Sequence, residues 1–151
     1  MYRKGVAAII LNDKNQILLV NLTTFDSKFF SIPGGGSEKG ESDIDTIKRE
    51  LLEELGIESS MIEVIKKSST LYKFNFKSIT IKDGKKYKGQ KKVCFLVKFN
   101  GTDKDIKISK DEIRKYLWSD YKDLDKYLLF EEQLESIQFF IKDLCPYIIK
   151  I

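Results

Sequence analysis

No histidine occurs in the sequence, and this one absence removes Ser-His-Asp and Cys-His nucleophilic catalysis, histidine-ligated zinc and imidazole general bases together. Cysteine is nearly missing as well. Cys94 and Cys145 stand far apart and outside any CxxC pair, so neither a disulfide framework nor a thiolate zinc site is suggested, and both are expected to be buried thiols. Pro33 and Pro146 are the only prolines. With no repeat, low-complexity tract or linker beside them, nothing marks an internal boundary, and one domain spanning residues 1–151 is expected. No apolar run approaches the roughly 18 residues that cross a bilayer. The opening Met1-Tyr2-Arg3-Lys4-Gly5 lacks the basic head, apolar stretch and small-residue cleavage site of a secretion signal. The expectation is a soluble chain with no membrane partner and a cytoplasmic location.

What the chain does hold is carboxylate. Its 23 acidic residues must carry any chemistry, and carboxylate oxygens are the hard ligands that magnesium and manganese prefer. The charge is unevenly spread. Residues 65–92 contain ten lysines against the single acid Asp83, while the whole chain is only +4 and its remainder is therefore net acidic. A local excess of that size favours a polyanionic substrate, although a charge run is also the usual form of a solvated face.

Hydrophobic content of 42% in 151 residues suffices for one core. Gly5 to Leu11 and Gln16 to Val20 are apolar segments separated by Asn12-Asp13-Lys14-Asn15, which predicts a hairpin. Shorter strands are predicted at Phe29 to Ile32, Ile62 to Ile65, Thr70 to Phe76, Ser78 to Ile81 and Tyr116 to Ser119. Lys92 to Phe99 contains Val93-Cys94-Phe95-Leu96-Val97, apolar on both faces, and should be a central strand. A glycine-rich loop, Gly34 to Gly40, precedes the first strong helix. A short helix near Tyr121 to Tyr127 and a longer one from Glu131 to Leu144 complete a mixed order that predicts an α+β fold, an α/β/α sandwich.

The helix from about Ser42 to Leu55 carries two faces. Ser42 is a natural N-cap with Asp45 three residues on, and Gly56 is a natural C′ residue. Ile44, Ile47, Leu51 and Leu55 form the apolar stripe, with Leu52 at its edge. Glu50, Glu53 and Glu54 gather roughly opposite, where three like charges cost helix stability unless a divalent cation reverses the sign. Arg49 stands four residues before Glu53 and can offset and orient its carboxylate. The glycine loop delivers backbone groups to the helix N-terminus, where a phosphate or a metal can approach closely.

Gly35, Glu41, Arg49-Glu50-Leu51, Glu53-Glu54 and Gly56-Ile57 match the Nudix box, G-x5-E-x7-R-E-U-x-E-E-x-G-U, at every specified position. Seven fixed letters at roughly 6% each place chance agreement well below about one in a million. The chain thus resembles the Nudix hydrolases, and the resemblance implies the Nudix fold with its loop-helix-loop catalytic motif, Mg²⁺ as cofactor with Mn²⁺ able to replace it, and hydrolysis of a diphosphate linkage. It implies that Glu50, Glu53 and Glu54 are metal ligands and candidate bases, that the Gly34 carbonyl is a further ligand, and that Arg49 is the orienting arginine. Glu41 resembles the box's first glutamate, which braces the loop. Glu112 is the candidate acid from outside the box, because Asp111-Glu112-Ile113 leads into an aromatic strand.

Tyr2-Arg3-Lys4-Gly5-Val6 and Gly89-Gln90-Lys91-Lys92 resemble bacterial RNA pyrophosphohydrolases and diadenosine polyphosphate hydrolases. That likeness implies phosphate contacts for Arg3, Lys91 and Lys92, close substrate approach at Gly35 and Gly36, and a nucleotide or a 5′-phosphorylated RNA end as partner. Tyr72, Phe74 and Tyr87 are candidates to stack a base. Two departures stand out: Gly34 replaces the subgroup's usual glutamine, and basic residues are missing at Asn21 to Thr24. They keep open a (deoxy)nucleoside triphosphate pyrophosphohydrolase and, in another class, a non-catalytic nucleotide- or RNA-binding module. No helix suggests DNA binding, and both monomer and homodimer fit.

Overall fold

The apolar segments pair into one mixed sheet. The computed structural model describes the backbone of residues 1–150 and the side chains of residues 1–144. Its strands are β1 (Tyr2–Leu11), β2 (Ile17–Leu22), β3 (Gly34–Gly36), β4 (Ile62–Lys67), β5 (Tyr72–Lys82), β6 (Lys85–Phe99) and β7 (Ile113–Ser119), and its helices are α1 (Asp43–Leu55) and α2 (Glu131–Lys150). The sheet order is β4-β6-β1-β2-β7, with β3 paired to β1 and β5 to β6. β1 and β6 run parallel in unbroken register from Tyr2↔Gly89 to Leu11↔Lys98, while the other pairings are antiparallel.

β1 and β6 are central because they are apolar on both faces, and strand alternation assigns each residue to one layer. Val6, Ala8, Ile10, Val93, Phe95 and Val97 pack with Ile47, Leu51 and Leu55 of α1. Ala7, Ile9, Leu11, Cys94 and Leu96 pack with Ile137, Phe140, Ile141 and Leu144 of α2. The result is the expected α/β/α sandwich. Cys94 is fully buried, and that burial pushes its thiol up to about 12, so it is an unreactive core residue. The Cys145 side chain lies outside the described residues.

Several local expectations are corrected. Phe29 to Ile32 is not a regular strand; Ser31 alone bridges Val20, since Pro33 has no N–H with which to continue a ladder. The first part of the glycine loop is a strand, Gly34–Gly36 on Gly5–Ala7. Thr70 to Phe76 and Ser78 to Ile81 merge into β5, with a register shift between Asn75 and Thr80. β6 begins at Lys85 rather than Lys92, because Asp83 (φ 52) and Gly84 (φ 76) form the tight primed turn that a two-residue hairpin requires. Tyr121–Lys126 is a 3-10 segment, and α2 runs past the expected Leu144.

Ile44 departs from the apolar stripe and is 39% exposed. The first turn of α1 is secured against the preceding loop instead. Buried Thr46 donates its hydroxyl to Glu41 Oε1 at 2.8 Å and shares a hydrogen bond with Ser37. The caps form as expected: Asp45 N donates to Ser42 Oγ, and Gly56 adopts φ 65.

Candidate active site

The site is assembled where β3 lies between β1 and α1. Arg49 ties several of its parts together. Its Nε donates to Glu41 Oε2 at 2.7 Å, Nη2 donates to Glu41 Oε1 at 2.9 Å and to the Gly36 carbonyl at 3.0 Å, and Nη1 reaches Glu50 at 3.0 Å and Glu53 at 3.2 Å. One planar fork therefore ties the loop to the acidic face. Glu41 also accepts the Glu38 N–H at 3.0 Å. With Arg49 the dominant cause, its carboxyl is pulled down to about 2; the acid braces the loop and is not free for proton transfer. The Arg49 guanidinium is held above its ordinary range, chiefly by Glu41.

The three box glutamates occupy unlike environments. Glu53 is half exposed, at 51% of its side chain. Glu50 lies against the loop, where a Cβ on Gly35 would collide with its carboxylate, so only glycine admits this approach. Burial raises its pKa, Arg49 opposes the rise, and the charges of Glu53 and Glu112 add to it. Glu54 is only 6% exposed. This departs from a uniformly solvated acidic face and follows from the α1–β3 contact, which brings Glu54 within reach of the Gly34 N–H. Burial first, then the Glu50 and Glu112 charges, push its carboxyl up to about 8. Its Oε1 is buried without a hydrogen-bond partner. Glu112, in the turn before β7, is exposed and joins the group through space.

These donors fit a hard divalent cation: oxygen ligands, mutually repelling charges, and a buried carboxylate oxygen with an unmet interaction. They are not gathered in ligand geometry. Among the described residues no three acidic side chains converge on a point that could hold an ion, and Arg49 engages Glu50 and Glu53.

The structure separates the candidate substrate contacts. The Arg3 guanidinium lies over Gly36, where a side chain would strike it. Arg3, Lys4, Gly36, Glu41, Arg49 and Glu50 border a cleft of about 930 Å³, whose far wall includes Lys82, Lys85 and Tyr87. Lys92 and Lys91 are adjacent in β6 and so point to opposite faces. Lys92 lines a groove of about 220 Å³ with Gly34, Gly35, Gln90 and Gln133, whereas Lys91 stands 5.6 Å from the Tyr2 ring. Burial depresses the Lys92 pKa. The groove continues into an aromatic space of about 550 Å³ bordered by Phe25, Phe74, Phe76 and Phe130. Tyr72 instead packs on Phe139 and Phe140. Sequence reasoning did not select Gln90 or Gln133; no local pattern distinguishes them, and only the meeting of β6 with the start of α2 does.

The chain belongs to the NUDIX domain family, whose model matches residues 1–140. It is similar to an RNA pyrophosphohydrolase of Ruthia magnifica subsp. Calyptogena magnifica, with 34% identity over 125 residues, covering 80% of this chain and 69% of that protein. The RNA pyrophosphohydrolase of Zymomonas mobilis is 31% identical over 140 residues, covering 88% of this chain and 89% of the other. Among solved structures, a binary complex of a C. elegans Ap4A hydrolase superposes with TM-score 0.71 over 99% of both chains, at 17% identity. The E. coli dihydroneopterin triphosphate pyrophosphohydrolase also gives 0.71, at 19% identity, covering 94% of this chain and 99% of that one. At such identities the structures speak for the fold.

Proposed function

We propose that this Nudix hydrolase cleaves a diphosphate linkage at a 5′-triphosphorylated RNA end or in a dinucleoside polyphosphate, using Mg²⁺, with Mn²⁺ able to replace it. One observation carries the reading: a single cleft is bordered by Glu50, the Arg49 fork and Arg3, with the buried, unsatisfied Glu54 oxygen on the same helix. The two similar RNA pyrophosphohydrolases support the substrate class.

Glu50, Glu53, Glu54, Glu112 and the Gly34 carbonyl would hold the cations. A bound divalent ion neutralises phosphate oxygens and lowers the pKa of water, which is what a resistant anhydride needs. The protein's own groups do the rest. Arg49 holds the acidic face to the loop, Arg3 and Lys92 supply phosphate contacts, Gly35 and Gly36 leave room for the substrate, and one glutamate takes the proton of the attacking water. Lys91 serves at the outer surface. The enzyme is proposed to work as one cytoplasmic domain, monomer or homodimer.

A second reading has its own support. The aromatic space beside Lys92, with Asn75, Gln90 and Gln133 at its edge, suits a single base and so favours a (deoxy)nucleoside triphosphate pyrophosphohydrolase. Product analysis with Mg²⁺ separates the two. A monophosphorylated RNA end or asymmetric cleavage of diadenosine polyphosphate is expected; diphosphate released from free nucleotides alone would replace the first reading by the second. If ligand binds but nothing is released at any metal concentration, the chain is a binding module.

A further inference from the structure

The lysine excess has a definite place in the fold. Eight of the ten lysines in residues 65–92 fall between Lys73 and Lys92, on the hairpin of β5 and β6, whose outer part is a two-stranded ribbon closed by Asp83-Gly84. Among the described residues none of these eight makes an ion pair with a carboxylate. Lys73, Lys88 and Lys91 place their ammonium groups 4.3, 5.2 and 5.6 Å from the ring centre of one residue, Tyr2. Three cations crowded on one ring repel each other, and a polyanion would relieve that repulsion.

The ribbon is also aimed. Lys82 and Lys85 are cross-strand partners, as are Thr80 and Tyr87, and such pairs share a face. Lys82, Lys85 and Tyr87 line the same cleft as Glu50 and Gly36. Positive charge thus extends from the cleft to the ribbon tip, where Asp83 is the single acid among the ribbon's lysines. Exposed Ile79 (66%) and Ile81 (67%) lie on the same strand, a combination that could also suit an anionic membrane; continuity with the nucleotide cleft favours nucleic acid.

We infer that the β5–β6 ribbon is an RNA-holding arm: its lysines follow the phosphates beyond the 5′ end and Tyr87 stacks on a base, so that the enzyme selects a polynucleotide over a free nucleotide. This rests on the proposed function and adds to it a reason for substrate length to matter.

The test compares kcat/KM for a nucleoside triphosphate and for triphosphorylated single-stranded RNA of about ten nucleotides, a length within the usual single-strand site size, across a salt series. Wild type is set beside the double variant Lys82→Ala/Lys85→Ala, the cross-strand pair on the cleft face, and its Lys→Arg counterpart. Wild type should favour RNA by about tenfold or more; the alanine variant should bring the ratio near unity and make the log–log salt slope shallower by about 1.4, at about 0.7 per phosphate contact on a single strand. The arginine variant should keep the preference, which separates charge from folding. Turnover blind to length in wild type, or an unchanged ratio in the alanine variant, overturns the arm. So does binding to phosphatidylserine vesicles that the alanine variant loses while its RNA preference persists. No turnover of any of these substrates instead overturns the proposed function beneath it.

Discussion

The buried carboxylate of Glu54 sets a cost on the stability of the metal-free fold. A carboxyl whose folded pKa is raised to about 8 from 4.5 binds more protons in the native state than in the unfolded one. The metal-free protein therefore loses stability as pH rises through that window. Glu54→Gln removes the penalty: in EDTA at pH 8 it should unfold later than wild type by on the order of 2 kcal/mol, with the gap closing toward pH 5. Denaturant titrations at the two pH values check this, and equal gaps at both would refute it. The same substitution should cost about a hundredfold or more in kcat if Glu54 takes the proton. Arg49→Lys keeps the charge but loses the fork that joins Glu41, Glu50, Glu53 and Gly36. We expect kcat/KM to fall about tenfold or more with little change in far-UV circular dichroism, because one ammonium cannot reproduce that geometry. The grouping of Arg49 with Glu50 and Glu53 was legible in the sequence through their spacing. The burial of Glu54 was not, since helix periodicity places it with its neighbours and only the approach of β3 sets it apart.

Helix α1 was readable almost in full, because its caps and apolar stripe are local. Ile47, Leu51 and Leu55 are completely buried, and Leu51→Ala should cost about 2–5 kcal/mol by leaving a cavity under the sheet, measured as a drop in ΔG without a change in m-value. The glycine segment was read as a loop, yet residues 34–36 are a strand. What makes it useful is proximity: a methyl at Gly35 would strike the Glu50 carboxylate. Gly35→Ala is expected to lower metal-dependent turnover by about tenfold or more while the thermal midpoint moves only slightly, as seen by comparing steady-state kinetics with calorimetry. The β5–β6 hairpin was underestimated, although Asp83-Gly84 carries the residues a primed turn demands. Its β6 end is rich in lysine and carries no apolar alternation to mark a strand.

Across the whole molecule, binding of a divalent cation to the native state alone should stabilise it. Adding Mg²⁺ at roughly a hundred times its dissociation constant should contribute about 2.7 kcal/mol and raise the thermal midpoint of wild type. In Glu54→Gln the shift should be much reduced, and EDTA should abolish hydrolysis until Mg²⁺ is restored. An identical metal-induced shift in both proteins would separate the cation from this site. Among the described residues no helix is long and apolar enough to cross a membrane. The sequence by itself determined the family, the α/β/α class and the acidic helix, because those rest on short-range spacing and on strands apolar on both faces. The tertiary structure decided which charges matter together. The antiparallel pairing of β3 with β1 sets Arg3 beside Gly36, strand alternation sends Lys91 and Lys92 to opposite faces, and the parallel pairing of β1 with β6 brings the lysine ribbon to the cleft that Glu50 borders. Burial and through-space charge, which raise Glu54, arise only when segments distant in the chain are brought together.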